Sequence, residues 1–411
     1  MMKEVTFSDI IGKEGVFIDG DWVESKDQDP NGEVRLLQLA DIGDGYFINK
    51  SNRFLTLESA KKLKCTFLKK NDLLVARMPD PLGRACIFPG LEKPCVTVVD
   101  VCIIRPDKNL VAVEWLKFLI NSFDYRNTIN QFITGTTRQR ISRGNLAKLK
   151  FKLPPLPDQI RIAQILSQAE NLIAQRKQSI SLLDELLKST FLEMFGKLKG
   201  ELVPLSKACE INPKKSEISA LNSKIVVSFI PMAAVSSKGQ IDLTQEKSIE
   251  SVWSGFTYFA EGDVVFAKIT PCMENGKGAI MKGLKNKLGF GTTEFHVLRP
   301  IQKLSTPEWI YHLTMQNSFR KEAENNMTGS AGQKRVPTDF FSKYKVVIPP
   351  IKLQTQFANI VEKVETLKTQ YQQSLTELQN MYGVLSQKAF KGELKGNVEI
   401  TNKFQHIRKI G

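Results

Sequence analysis

A Pro-Pro pair followed by a long helical pattern occurs twice in the chain, and this repeat constrains the fold more than any other feature. The two pairs, Pro154-Pro155 and Pro349-Pro350, lie 195 residues apart. A proline has no backbone N–H and drives its predecessor out of the α region, so each pair predicts that a helix starts afresh, near Asp158 and near Gln354. At the same offset the sequence matches Gln159 with Gln354, Ala163 with Ala358, Ile165 with Ile360, and Phe195 with Phe390.

The segments that follow the two Pro-Pro pairs carry apolar residues at matching steps of three and four, which is the pattern of a helix pair. A helix from Asp158 to about Phe195 would extend ~57 Å at 1.5 Å per residue. Packing of each helix on its own half of the chain is the alternative. The side chains predicted to pair the helices are Ile162, Ile165, Leu172, Leu183, Leu187, Phe357, Ile360, Leu367 and Leu378.

Weaker sequence similarities before the two Pro-Pro pairs show that the repeat includes a globular part. KKNDLLVARMPDPLGRACIF, from Lys69, resembles AEGDVVFAKITPCMENGKGAI, from Ala260, and each has an Asp before a short apolar strand. Each half therefore predicts a mixed α/β globule and then a helix. The predicted divisions are a first globule at 1–153, a first helical spacer at 154–197, a second globule at 198–348, a second helical spacer at 349–396 and a tail at 397–411.

A glycine-containing basic loop precedes each Pro-Pro pair. The first contains TGTTRQR and the second TGSAGQKR, and no acidic residue lies between Tyr125 and Pro157. Hydroxyl, amide and guanidinium groups are those that contact phosphates and base edges, so the pattern predicts nucleic-acid contact; a solvated basic turn is the alternative. The predicted DNA-binding residues are Arg77, Thr134, Thr136, Arg138, Gln139, Arg140, Arg143, Lys268, Thr328, Ser330, Gln333, Lys334 and Arg335.

The charge balance of the chain agrees with a polyanionic partner. The formal net charge is +15 at pH 7 and the pI is about 9.4. An excess of this size favours nucleic acid first and an anionic membrane surface second. Since no apolar run approaches the ~20 residues that cross a bilayer, and the start of the chain does not resemble a signal peptide, we expect a cytoplasmic protein.

The sequence offers little for catalysis. It has no phosphate-binding G-x-x-x-x-G-K-[ST] loop, and its six cysteines form no C-x-x-C pair. Carboxylates at Asp19, Asp21 and Glu24 are a faint candidate for a metal-dependent nuclease. We therefore predict no catalytic and no metal-binding residue, and keep the nuclease as an alternative.

The order of these parts resembles the specificity subunit of type I restriction-modification systems. The resemblance rests on the two glycine-containing loops, on Leu/Ile-Pro-Pro-Leu/Ile with a Gln shortly after it, and on long helices that end near Phe-Gly or Phe-x-Gly. It implies an α+β fold with two target recognition domains and an antiparallel coiled coil of pseudo-twofold symmetry.

The same resemblance implies a function without catalysis in this chain. The chain would bind a bipartite site on double-stranded DNA and direct two methylation subunits and two restriction or motor subunits in a prokaryotic cytoplasm. S-adenosylmethionine, ATP and Mg would belong to those partners. A coiled-coil scaffold that binds no DNA remains the other alternative. The amino-acid sequence does not indicate the DNA target sequence or the length of the gap between its two halves.

Overall fold

The structure is a computed structural model that describes residues 3–135, 139–330 and 332–394. The predicted tail at 397–411 lies outside the described residues. The chain divides into two compact units. The first unit is Met1–Lys177 with Gln373–Gly411, and the second unit is Gln178–Gln372.

The first half of the chain contains short strands and helices and then a helix of 40 residues. Its strands are β1 (Lys3–Val5), β2 (Val16–Asp19), β3 (Val34–Leu37), β4 (Phe54–Leu55), β5 (Leu73–Ala76), β6 (Ala85–Ile87), β7 (Cys95–Thr97), β8 (Val101–Arg105) and β9 (Phe151–Leu153). Its helices are α1 (Leu57–Lys62), α2 (Val113–Asn121), α3 (Phe123–Asn130), α4 (Arg143–Lys148) and α5 (Leu156–Phe195).

The second half repeats this order and ends in a helix of 41 residues. Its strands are β10 (Val203–Pro204), β11 (Cys209–Ile211), β12 (Val226–Ile230), β13 (Glu246–Ser248), β14 (Thr257–Ala260), β15 (Val264–Ala267), β16 (Gly278–Ile280), β17 (Leu288–Gly291), β18 (Phe295–Pro300) and β19 (Lys345–Val346). Its helices are α6 (Ile249–Val252), α7 (Pro307–Thr314), α8 (Asn317–Asn325), α9 (Asp339–Lys343) and α10 (Ile351–Lys391).

The sheets of the two units correspond, except that the mixed sheet of the second unit has one additional strand, β14. An antiparallel sheet has the order β2-β8-β5-β6 in the first unit and β11-β18-β15-β16 in the second. A mixed sheet has the order β4-β3-β7 in the first unit and β13-β12-β17-β14 in the second, with β3–β7 and β12–β17 parallel. The predicted α+β class is confirmed, with two mixed globules that are each followed by a long helix.

A buried ion pair joins the same two strands in each unit. Asp72, directly before β5, accepts hydrogen bonds at 2.6 and 2.7 Å from Arg105 at the end of β8. Asp263, before β15, accepts two at 2.8 Å from Arg299 in β18. Both carboxylates are nearly inaccessible to solvent, so each forked contact fixes how the two strands align.

The start of each long helix is held by a fully buried glutamine. The side-chain oxygen of Gln159 accepts a hydrogen bond at 2.9 Å from the backbone N–H of Ala112, and its amide donates to the carbonyls of Leu110 and Pro154 at 3.0 and 2.8 Å. Gln354 repeats all three contacts, with Thr306, Leu304 and Pro349. One side chain thus joins the Pro-Pro segment to the loop that leads into α2 or α7.

The helices begin slightly earlier than the sequence predicts. α5 starts at Leu156 and α10 at Ile351, whereas the predicted starts were near Asp158 and Gln354. The first turn of a helix needs no backbone N–H donor, so Pro155 and Pro350 stand immediately before the helix and Pro157 lies within its first turn.

Within the first unit, α5 and α10 run antiparallel. The guanidinium of Arg161 donates to the carbonyl of Leu394 at 3.2 Å, and the Tyr382 hydroxyl donates to Glu170 at 3.2 Å, so the residue number falls along α10 as it rises along α5. Of the predicted pairing residues, Ile162 and Ile165 are buried in a cluster that includes Leu385 and Ala389 of the α10 segment, and Leu172 lies at its edge.

Within the second unit, the contacts again run in opposite directions. The Lys368 ammonium lies 2.8 Å from the Asp184 carboxylate, and the rings of Phe191 and Phe195 each lie 5.4 Å from that of Phe357. The predicted residues Leu187 and Phe357 are buried in one cluster, with Leu183 and Ile360 packed against it. Leu378 is buried in the first unit and Leu367 is half-buried in the second.

The apolar faces of the long helices also contact the globules. The Trp115 ring of α2 lies 6.2 Å from the Phe390 ring, and Trp309 of α7 is buried in the same cluster as Leu187 and Phe357. The predicted pairing of the helices is therefore present within each unit. Packing of each helix on its own half alone is not what the structure shows, because Phe390 of α10 contacts the first half and Leu187 of α5 packs with the second.

We expect Gln159→Ala to lower the free energy of unfolding by on the order of 3 kcal/mol, because it leaves buried backbone groups without partners. Gln168→Ala, an exposed position on the same helix, is the control and should change stability little. Urea unfolding followed by circular dichroism measures both. Equal unfolding midpoints for the two variants would show that the Gln159 contacts contribute nothing.

A charge introduced between the paired helices should also lower the free energy of unfolding. Leu187 is 3% exposed and its neighbour Leu186 is 46% exposed. Leu187→Asp should therefore reduce the free energy of unfolding by about 3 kcal/mol or more, since it loses apolar contacts and buries a carboxylate. Leu186→Asp should be nearly neutral. Thermal unfolding of the pair is the measurement, and similar melting temperatures would contradict the described packing.

Candidate nucleic-acid interface

The first basic loop is closed at its base, and the structure describes it on both sides of residues 136–138. Thr134 and Arg140 exchange backbone hydrogen bonds, each 3.0 Å long, and Gly135 between them adopts a φ of +91°, which favours glycine. We name residues 134–140 the first hairpin. The predicted residues Thr134, Gln139 and Arg140 are exposed on it, and Arg143 is exposed at the start of α4. The predicted residues Thr136 and Arg138 lie outside the described residues.

The second basic loop closes in the same way. Thr328 donates its N–H to Arg335 at 3.0 Å, and Arg335 donates back at 2.8 Å; we name residues 328–335 the second hairpin. Gly329 has a φ of +120°, and a Cβ there would approach the carbonyl of Gln333 to 2.9 Å. Of the predicted residues, Arg335 is partly exposed, and those fully on the surface are Thr328, Ser330, Gln333 and Lys334.

Arg77 lies beneath the first hairpin. It is 3% exposed. Its guanidinium donates to the carbonyls of Ile141 and Val99 and lies 3.2 Å from the Asp19 carboxylate, while its own carbonyl accepts from Ile141 at 3.0 Å. The sequence predicted that Arg77 contacts DNA, but in the structure its guanidinium is used to hold the base of the hairpin.

In the second unit a histidine has this anchoring role. His296 donates from Nε2 to the carbonyl of Val336 at 2.8 Å, and its Nδ1 lies 3.2 Å from the side-chain nitrogen of Asn212. Asn212 donates this hydrogen bond, which requires a neutral ring with its proton on Nε2. Burial lowers the pKa of His296 to about 4. The repeat gives no signal for this role of His296, because the equivalent position in the first unit is Cys102.

Lys268, which corresponds to Arg77, has a different environment. Its carbonyl accepts the N–H of Val336 at 2.9 Å, and its side chain is half-buried. Burial lowers the pKa of the ammonium, and the nearby Glu294 carboxylate partly offsets that effect. Lys268 therefore lies beside the second hairpin, and its predicted contact with DNA stays a prediction.

A second loop is fixed next to each hairpin by another cation. Arg84, 8% exposed, donates to the carbonyls of Ile42, Leu39, Met78 and Pro81. Lys277, at the corresponding place, donates to the carbonyl of Met232 at 3.0 Å. These contacts tie the β5–β6 and β15–β16 connections to the loops that follow β3 and β12. No local motif in the sequence indicates them.

The three carboxylates of the nuclease alternative serve separate partners. Asp19 pairs with Arg77, Asp21 accepts the N–H of Thr66 at 3.0 Å, and Glu24 lies 2.6 Å from the ammonium of Lys26. Among the described residues, no group of three or more His, Cys, Asp or Glu side chains could hold a metal ion. This alternative gains no support from the structure.

Within residues 3–135, 139–330 and 332–394, no helix combines the length and the apolar character that crossing a membrane would require.

Comparison with known families identifies the repeated module. The family described as "Type I restriction modification DNA specificity domain" matches residues 3–182 and again residues 200–379. Together the two matches cover most of the chain. The chain belongs to this family and contains its domain twice.

Two curated relatives and one solved structure agree with this assignment. The chain is 41% identical over 188 residues to the Type I restriction enzyme EcoAI specificity subunit of Escherichia coli, and 42% identical over 180 residues to the EcoEI specificity subunit of the same organism. Each match covers 43% of this chain and 30% of the relative. A chain from a structure of type I R-M system assembly and conformational transition has a similar fold. Its TM-score is 0.59 at 14% identity, with 96% of this chain and 98% of that chain covered.

The buried His296 predicts a dependence of stability on pH. Its pKa is about 4 in the folded protein and about 6.5 in the unfolded chain, so the unfolded chain binds the extra proton between those values. The contribution of His296 is complete above pH 6.5 and is lost as the pH falls toward 4. We expect a loss on the order of 2 kcal/mol between about pH 7.5 and about pH 5.

Urea unfolding of the wild type and of His296→Gln at several pH values measures this contribution. Gln keeps a donor but does not titrate, so the pH dependence should be shallower in the variant. His312, whose pKa burial also lowers to about 4, remains in both proteins. Identical slopes would mean that His296 is not held neutral.

Proposed function

We propose that this chain is the non-catalytic DNA-recognition subunit of a type I restriction-modification system. Its two hairpins bind the two halves of a bipartite site on double-stranded DNA. Family membership supports the assignment, and the curated relatives that match part of the chain are themselves specificity subunits. The observation that carries the proposal is the pair of equivalent hairpins, each exposed and basic, and each anchored from beneath.

The chemistry of the hairpins suits a groove of duplex DNA. Exposed cations such as Arg140, Arg143 and Lys334 neutralise phosphates and supply most of the affinity, which should therefore fall steeply with salt. The amides of Gln139 and Gln333 match adenine edges, and guanidinium groups match guanine. A rigid base under each hairpin limits the entropy that is lost when the loop orders on DNA.

The recognition domains of the proposal are residues 1–153 and 198–348, with the conserved helical segments at 154–197 and 349–396. Two methylation subunits and two restriction or motor subunits assemble with the chain in the cytoplasm of a prokaryote. The partners bind S-adenosylmethionine, ATP and Mg, and carry out methylation and cleavage. This chain contributes the choice of DNA sequence.

The test of this function is the selection of sequence from random duplexes by the chain together with its cognate methylation subunit. A bipartite consensus is the expected result. If the chain is instead a scaffold that binds no DNA, random duplexes will show no mobility shift at low or at moderate salt.

Single substitutions should separate the two half-sites. Arg140→Ala should reduce the affinity or the base discrimination at one half-site, and Arg335→Ala should do so at the other. The reason is that each hairpin acts within its own unit. A loss of roughly fivefold or more in discrimination is expected where a base contact is removed. Lys188→Ala, which removes an exposed charge on α5, is the control for charge alone. Equal loss of both half-sites in either variant, at unchanged thermal stability, would contradict the modular reading.

A further inference from the structure

Arg335 of the second hairpin is held by an acidic residue in the turn between β17 and β18. Its Nε donates to the Glu294 carboxylate at 2.9 Å, its Nη2 donates to the same group at 2.9 Å, and its Nη1 donates to the carbonyl of Gln333 at 3.0 Å. A guanidinium has five N–H groups. The three contacts use Nε–H and one N–H from each terminal nitrogen.

Two of the five N–H groups, one on Nη1 and one on Nη2, take part in none of these contacts within the described residues. The Arg335 side chain is 41% exposed. Two parallel donors on one planar edge match the O6 and N7 acceptors of guanine in the major groove. This is a directional arrangement that a lone phosphate does not require.

Both partners of the ion pair are fixed by their backbones. Arg335 is bridged on one side to Thr328 and on the other to Ile269. The backbone carbonyl of Glu294 accepts the N–H of Lys268 at 2.9 Å. The backbone N–H of Glu294 donates to the Thr292 hydroxyl at 3.2 Å. The hydrogen bonds from Arg335 lower the pKa of Glu294, so the carboxylate stays ionised at neutral pH.

From this geometry we infer that Glu294 positions Arg335 to recognise one guanine in the half-site bound by the second unit. The inference rests on the proposed function and adds a base contact and a positioning residue to it. Glu294 acts through Arg335: it restricts the guanidinium to one orientation before DNA arrives, which raises the selectivity of the contact.

The first unit carries the same residue types without the same contact. Asp100 occupies the place of Glu294, since its carbonyl accepts the N–H of Arg77 just as that of Glu294 accepts the N–H of Lys268. Arg140 occupies the place of Arg335. Within the described part of the chain, however, the Arg140 guanidinium forms no ion pair with Asp100 or any other carboxylate. Among the described residues of the two loops, the ion pair that positions a guanidinium is thus seen for Arg335.

The experiment is a selection from random duplexes by the complex of the chain with its methylation subunit, followed by binding measurements on the consensus and on its single-base variants. The proteins are the wild type, Glu294→Gln, Glu294→Asp and Arg335→Lys. Glu246→Gln removes an acidic group that faces Lys285 elsewhere in the second unit, and is the control for the change in charge.

Glu294→Gln and Arg335→Lys should each reduce the preference for one and the same guanine by about fivefold or more, with other positions unchanged. Glu294→Asp should restore part of it. Affinity of Glu294→Gln for a duplex without the site should be equal to or higher than that of the wild type, because a negative charge is removed. Glu246→Gln should leave the preference for that guanine unchanged. At most, it should raise the affinity for a duplex without the site.

Three results would overturn the inference while leaving the proposed function intact. They are a consensus without such a guanine, base preferences unaltered by Glu294→Gln, and uniform weakening at all positions, as expected from a purely structural ion pair. A wild-type complex that selects no sequence would overturn the proposed function and this inference together.

Discussion

The buried glutamine at the start of each long helix is the contact on which the rest of the architecture depends. Gln159 and Gln354 are both 0% exposed, and each uses its oxygen and its amide on three backbone groups. A Pro-Pro segment offers no N–H donors of its own, so its carbonyls need a partner from elsewhere. The glutamine supplies that partner, and its three hydrogen bonds also fix the helix to its globule. Only then can the apolar face of the helix meet both the globule and the other helix.

The hairpins show how one scaffold presents two different recognition surfaces. The carbonyl that follows each hairpin is held by a buried donor, the Arg77 guanidinium in the first unit and the His296 imidazole in the second. The donors come from different strands and carry different charge, yet they satisfy the same backbone group. Because the fixed base is built separately from the exposed tip, substitutions at the tip can change the proposed DNA contacts without disturbing the sheets below.

Much of the fold could be predicted because its signals are local and occur twice. The Pro-Pro pairs, the periodic apolar residues and the matching strand segments predicted the order of elements and the α+β class. The two glycine-containing motifs located the basic loops, but not their closure as hairpins. The functions of single charged residues could not be predicted in this way. Arg77 and Arg140 look alike in sequence, but one is buried under the hairpin and the other is exposed on it. Burial depends on which strand lies above a residue, and that is a non-local property.

By itself the sequence determined the duplication, the breaks before the helices, the basic character of the loops and the membership of a repeated module. Proline geometry, helical periodicity and charge are all properties of neighbouring residues. Only the tertiary structure decided that Asp72 joins Arg105, that Glu294 holds Arg335, and that His296 replaces an arginine as an anchor. Each of these contacts links residues that are more than thirty positions apart, as the distances 33, 41 and 40 along the chain show. Their geometry is set by strand register, because a shift of one residue would turn each side chain to the opposite face of its sheet.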